Sequence, residues 1–103
     1  MARKDETRRG SAVLPDVRLE KPRMYRVFLH NDDYTTMDFV VAILKDVFNK
    51  HVDDAIRIMF AVHRQGIGEC GVYTAEIAET KVALVHSKAR VAGFPLRCSL
   101  EAE

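Results

Sequence analysis

Three consecutive polar residues, Asn31-Asp32-Asp33, form the densest group of potential ligands or catalytic side chains in the sequence. His30 directly precedes them, and His63 lies further along the chain. Carboxylate and imidazole groups together can bind a divalent metal or act as a general acid and base. One hypothesis is therefore a metal-dependent hydrolase at Asp32, Asp33 and His63.

The surrounding sequence argues against catalysis at this turn. Neighbouring side chains in a turn usually diverge, so two adjacent carboxylates seldom converge on one atom. The sequence has no serine or cysteine nucleophile in a recognisable strand-to-helix elbow and no glycine-rich phosphate loop. A solvated turn in front of a helix is the simpler interpretation, and we expect the protein not to be an enzyme.

The elements around the turn can be predicted from apolar periodicity. Alternating apolar residues from Tyr25 to Leu29 predict a strand that leads into it. A helix over about residues 36–48 should follow, started by Thr35 and the acidic Asp38. Because most positions of this helix are apolar, it must be covered on more than one side.

The rest of the chain continues the alternation of helices and strands. Helical spacing predicts helices over residues 52–65 and 75–92, each followed by a glycine that ends it. Short strands are predicted over residues 69–74 and 96–100. The order βααβαβ predicts an α+β fold, a single domain of three helices layered on a small three-stranded sheet.

The first 22 residues differ in composition from the remainder. They are charged, poor in apolar residues and contain Pro15 and Pro22. Such a segment cannot bury enough apolar surface to offset its chain entropy. We therefore predict a flexible N-terminal extension, residues 1–22, ahead of a core domain, residues 23–103.

Length, charge and cysteine usage exclude several classes of protein. A chain of 103 residues holds one domain, and its 16 basic and 15 acidic residues lack the basic excess of nucleic-acid or membrane-surface binders. The longest uncharged apolar run, Phe39 to Leu44, is too short to span a bilayer. Cys70 and Cys98 match no metal or disulfide pattern, and no secretory signal is present. We expect a cytoplasmic protein without a metal or other cofactor.

Three longer motifs carry more specific information than the acidic turn. Residues 31–40 (NDDYTTMDFV), 59–66 (MFAVHRQG) and 70–81 (CGVYTAEIAETK) resemble, in order and spacing, the motifs of the ClpS adaptor family. The resemblance implies a non-catalytic adaptor that binds proteins with an N-terminal Leu, Phe, Tyr or Trp, a signal called an N-degron. It also implies delivery of these proteins to the N-terminal domain of a ClpA-like or ClpC-like AAA+ unfoldase.

The resemblance assigns roles to individual residues. An N-terminal ammonium group has three hydrogen-bond donors, so its site requires converging acceptors. Asn31 and His63 are implied to bind this group, directly or through water, and Asp32 to bind the first peptide unit. Met37 is implied to gate the pocket against β-branched first residues, which are stiff at Cβ. The hydrophobic pocket is expected to be lined by Leu29, Thr35, Met37, Val40, Met59, Val62 and Leu96.

The resemblance assigns a role to two further residues, and the sequence differs from the usual family pattern at two positions. Glu76 and Lys81 are implied to contact the unfoldase. Thr36 replaces a proline common at the first helical position, which is expected to loosen the turn slightly. His30 stands where an apolar residue is usual, and its effect on Asp32 is left open.

A second non-catalytic hypothesis also remains. The chain could be a general protein-interaction module of the same βααβαβ form, resembling the C-terminal domain of the ribosomal stalk protein. The pocket of such a module would be empty. Binding of a peptide with a free N-terminal Leu or Phe would separate it from an adaptor.

Overall fold

The computed structural model describes residues 21–103, which form three helices packed on one antiparallel sheet. Both the α+β class and the βααβαβ order predicted from the sequence are confirmed. The predicted N-terminal extension lies, apart from its last two residues, outside the described residues. In chain order the elements are Met24–His30 (β1), Met37–Asp46 (α1), Val52–Gln65 (α2), Ile67–Thr74 (β2), Ala75–Ala92 (α3) and Arg97–Ala102 (β3).

The strand β1 lies at the centre of the sheet, between β2 and β3, and pairs antiparallel with both. Its alternation places Val27 and Leu29 on the helix-covered face, where neither is exposed. On the outer strand β3, the backbone N–H of Cys98 donates to Nε2 of His86 on α3, at 3.0 Å. The helix layer therefore covers one face of the sheet and also reaches over its β3 edge.

The helix α1 begins one residue later than predicted. Its N-cap is Thr36, whose hydroxyl accepts a hydrogen bond from the Phe39 N–H at 3.1 Å. The prediction that Thr35 starts the helix was wrong, because the Thr35 hydroxyl is bound to Asp32 instead. Thr36 therefore stabilises the start of the helix, since a capping hydroxyl satisfies a free helical N–H, and the expected slight loosening of the turn relative to proline stays a prediction.

The bounds of α2 and α3 match the prediction, and each helix ends at a left-handed glycine. Gly66 has φ 90° and Gly93 has φ 83°, a conformation that glycine adopts without steric cost. The strand β2 begins two residues earlier than expected, at Ile67, and β3 is shifted toward the C-terminus, ending at Ala102.

Cys70 and Cys98 are free, buried thiols on the two outer strands. Two strand spacings separate them, roughly 9.6 Å, which exceeds the Cα separation that a disulfide allows. Burial raises the pKa of the Cys98 thiol to about 12, and burial together with the nearby Cys98 raises the pKa of Cys70. Both side chains therefore act as small apolar groups in the core.

We expect neither thiol to react with an aromatic disulfide reagent near neutral pH while the protein is folded. A buried thiol with a raised pKa offers neither access nor thiolate. Stopped-flow absorbance should show both cysteines reacting only at the rate of unfolding, and both reacting rapidly in concentrated guanidinium. Fast modification of either cysteine under native conditions would contradict this assignment.

Candidate functional site

The turn that follows β1 is shaped by the carboxylate of Asp32. Its Oδ1 accepts hydrogen bonds from the backbone N–H groups of Tyr34, at 2.8 Å, and Thr35, at 2.7 Å. Its Oδ2 accepts the Thr35 hydroxyl at 2.8 Å. Since a carboxylate offers about four acceptor positions, one remains for a further donor.

These hydrogen bonds also decide the ionisation of Asp32. Partial burial acts to raise its pKa, but the Thr35 N–H, the Thr35 hydroxyl and the Tyr34 N–H each lower it, and the net pKa is lowered. The carboxylate is therefore held in its charged form, which adds negative potential to the turn.

Asn31 and His63 come from distant parts of the chain and meet at one surface. The backbone N–H of Asn31 donates to the Gly66 carbonyl oxygen at 3.0 Å, which joins the turn to the end of α2. His63 lies in the last turn of this helix, just before Gly66. Both side chains are exposed and line the same cavity.

The apolar side of this cavity is built by α1 and α2. Val40 on α1 and Met59 and Val62 on α2 are buried, with exposed fractions of 6%, 7% and 2%. Met37 is the first residue of α1 and is 42% exposed, so it stands at the entrance. Thr35, which lies in the chain between the turn and the helix, is also a lining residue.

Together these groups enclose a cavity of about 250 Å³. That volume is below the roughly 300–1,000 Å³ of pockets for drug-sized ligands, so the cavity suits one side chain. Acceptor groups line its mouth and hydrocarbon lines its depth. The lining residues are Asn31, Asp32, Asp33, Thr35, Met37, Val40, Met59, Val62 and His63.

Eight of the ten residues predicted for the amino-group site and pocket therefore line one cavity, and two do not. Leu29 and Leu96 belong to the hydrophobic core, with 0% and 3% exposure, and are absent from the cavity lining. Leu29 is on the inner face of the central strand, and Leu96 immediately precedes β3, so both are covered by the helices. Asp33 also lines the cavity, although it was considered only for hydrolysis. Its position next to Asp32 in the sequence could have indicated this.

His30, whose effect was left open, bonds away from the acidic turn. Its Nε2 lies 2.7 Å from the Ser99 hydroxyl on β3. Burial lowers the pKa of His30, and the positive charge of Arg97 lowers it further. His30 therefore ties the end of β1 to β3.

Metal binding finds no structural support in the part of the chain described. No group of three or more His, Cys, Asp or Glu side chains within residues 21–103 is arranged to hold an ion. Asp32 already accepts three hydrogen bonds within its own turn. Over the same residues, no helix is long and apolar enough to cross a membrane.

A family model described as "ATP-dependent Clp protease adaptor protein ClpS" matches residues 20–99 of the chain. The chain belongs to the ClpS family. Among its relatives, the ATP-dependent Clp protease adapter protein ClpS of Oleidesulfovibrio alaskensis is 62% identical over 99 residues, covering 96% of this chain and 95% of the relative. The ClpS of Nitratidesulfovibrio vulgaris, strain Miyazaki F, is 63% identical over 93 residues, covering 90% and 93%.

A solved structure in the family has a bound ligand. The structure of Agrobacterium tumefaciens ClpS2 bound to L-phenylalaninamide is similar to this chain with a TM-score of 0.78 and 41% sequence identity. The match covers 81% of this chain and 100% of the other. The resemblance inferred from the three motifs is thereby confirmed, and the chain is an adaptor of the Clp protease.

Glu76 and Lys81, the implied unfoldase contacts of this ClpS-family chain, differ in their surroundings. Glu76 is exposed in the first turn of α3. Lys81 is half-buried, and its Nζ donates to the Val47 carbonyl at the end of α1, at 2.7 Å, while lying over the rings of Phe48 and Tyr73. Lys81 therefore joins α3 to α1, whatever else it contacts.

Replacing Lys81 by methionine should destabilise the fold by about 1 kcal/mol, because a helix-terminal carbonyl loses its cationic partner. The matched control is Lys88→Met on the same helix, where the lysine is exposed and the expected change is within about 0.5 kcal/mol. Urea unfolding followed by circular dichroism measures both variants. Equal stabilities of the two variants would show that the Lys81 bond contributes nothing.

Replacing Thr35 by valine should cost about 1 kcal/mol near pH 7, because Asp32 loses a hydroxyl donor. The folded pKa of Asp32 is lowered, so its stabilisation is present above the ordinary carboxyl range and is lost as pH falls through the folded value. The deficit of Thr35→Val should therefore shrink near pH 3.

Urea unfolding at both pH values tests the Thr35 prediction. The control is Thr80→Val, whose hydroxyl donates only to the Glu76 carbonyl within α3 and so should show no such pH dependence. A Thr35→Val deficit that is unchanged at low pH would exclude the Asp32 interaction as its cause.

Proposed function

We propose that this adaptor binds proteins with an N-terminal Leu, Phe, Tyr or Trp and delivers them, without catalysing a reaction on them, to a Clp AAA+ unfoldase. The observation that carries the proposal is the cavity with acceptors at its mouth and hydrocarbon in its depth. A ClpS-family structure bound to L-phenylalaninamide, which has a free amino group beside an aromatic side chain, supports the same ligand class.

The mouth of the cavity suits a protein N-terminus. The Asn31 amide oxygen, an unprotonated His63 nitrogen and the free acceptor position of Asp32 can receive donors from the ammonium group and the first peptide N–H. The carboxylates of Asp32 and Asp33 favour a cation there, and no lysine or arginine among the described residues lines the cavity.

The depth of the cavity suits one apolar side chain. Burying a Leu or Phe side chain contributes roughly 1.5–3 kcal/mol, and each hydrogen bond to a charged group about 1.5–3 kcal/mol. After the cost of association, such a sum corresponds to micromolar binding, about 8 kcal/mol. Met37 at the entrance is proposed to reject β-branched first residues, which branch where the passage is narrow.

Delivery is proposed to use the exposed start of α3. Glu76 is the accessible member of the predicted pair, and Lys81 would contact a partner only with the part of its side chain that remains exposed. The partner is the N-terminal domain of a ClpA-like or ClpC-like unfoldase in the cytoplasm, acting on the bound substrate protein.

Fluorescence anisotropy with four peptides tests the binding proposal. Peptides that begin with Phe and Leu should bind, whereas those that begin with Ile or acetyl-Phe should bind at least about tenfold more weakly, because one clashes at Met37 and the other lacks the ammonium group. Asn31→Ala and His63→Ala should each weaken Phe-peptide binding about tenfold.

The control for these variants is His51→Ala, an exposed histidine at the start of α2 that should leave binding unchanged. Equal binding of Phe and acetyl-Phe peptides would refute recognition of the amino group. Failure of every free-amino peptide to bind would favour the interaction-module hypothesis, and cleavage of the peptides would favour the hydrolase.

A further inference from the structure

The helix α2 packs closely against the strand β2 at Gly68. This glycine is buried, pairs with Leu29 of the central strand and has no positive φ, so backbone conformation does not explain the absence of a side chain. A Cβ placed on Gly68 would lie 2.7 Å from Val62 Cγ2, 3.2 Å from the Ile58 carbonyl oxygen and 3.3 Å from Ile58 Cγ2.

The shortest of these distances cannot be tolerated without movement. Val62 is β-branched and helical, so its χ1 angle is nearly fixed and it cannot rotate away at low cost. It is 2% exposed and packed in the core, and the open space beside it is the cavity that it lines. A side chain on Gly68 would therefore displace Val62 toward that space, or move α2 together with Met59 and His63.

By contrast, Gly66 in the same segment is required only for its left-handed backbone. A Cβ placed on Gly66 would have no neighbouring atom within 4 Å. The two glycines thus act differently, since Gly66 ends a helix, whereas Gly68 leaves space behind a cavity wall.

We infer that Gly68 is a positioning residue that sets the depth of the pocket through Val62 and so admits large aromatic first residues. This inference rests on the function proposed above. Gly68 does not line the cavity itself. Its effect on selectivity is transmitted by Val62, which a Cβ at position 68 would meet and which lines the cavity.

The test compares Phe- and Leu-initiated peptides on wild-type protein and Gly68→Ala, with dissociation constants from fluorescence anisotropy. The variant should lose about tenfold in affinity for the Phe peptide and at most about twofold for the smaller Leu peptide, as expected for the loss of roughly one methyl group of space. A residue that only supports the fold would affect both peptides equally.

The variants Val62→Ala and Gly68→Ala/Val62→Ala isolate the contact. Removing Cγ2 of Val62 removes the clash, so alanine at position 68 should no longer change the Phe-to-Leu ratio in this background. Should Gly68→Ala fail to fold, the double variant should fold again. A double variant that also fails to fold, or that shows the same change in ratio, would overturn the inference.

The outcomes distinguish this inference from the function on which it rests. Wild-type protein that binds neither peptide would refute the proposed function. Wild-type binding together with an unchanged Phe-to-Leu ratio in folded Gly68→Ala would refute the positioning role alone.

Discussion

One backbone hydrogen bond, from the Asn31 N–H to the Gly66 carbonyl, joins the two segments that supply the polar rim of the cavity. These segments are the turn with Asn31 and Asp32 and the end of α2 with His63. Asn31 leaves the central strand, whereas His63 belongs to the last turn of α2, so their side chains face one cavity only while the turn and the helix end stay together. Both ends of this bond are main-chain atoms. The relative position of Asn31 and His63 therefore depends on the path of the backbone, and neither of these two side chains is needed to hold the turn against the helix end.

Much of the fold was predictable because local signals agreed. Helical periodicity predicted α2 and α3, and the glycine after each helix marked its end, while the start of α1 was misplaced because two adjacent threonines can each cap a helix. Asp32 decides between them by binding the Thr35 hydroxyl. The family resemblance implied that Leu29 and Leu96 line the pocket, whereas both lie in the hydrophobic core, and apolar periodicity alone cannot distinguish the two locations.

Two charged residues serve the fold in addition to any external role. Asp32 organises the turn with three hydrogen bonds, and Lys81 reaches a carbonyl 34 positions away in the chain. No local sequence pattern could have indicated the second contact. A small domain buries a limited fraction of its surface, so hydrogen bonds from polar side chains near the surface also contribute to its stability.

The hydrogen bond from Cys98 to His86 at the β3 edge of the sheet affects how this protein can associate with other chains. An outer strand with open backbone donors and acceptors can pair with a strand of another chain. The Cys98 N–H already donates to the His86 imidazole, so it is not free to donate to the carbonyl of an incoming strand. At this position the β3 edge is therefore unavailable for pairing with a strand of another chain, which acts against edge-to-edge association.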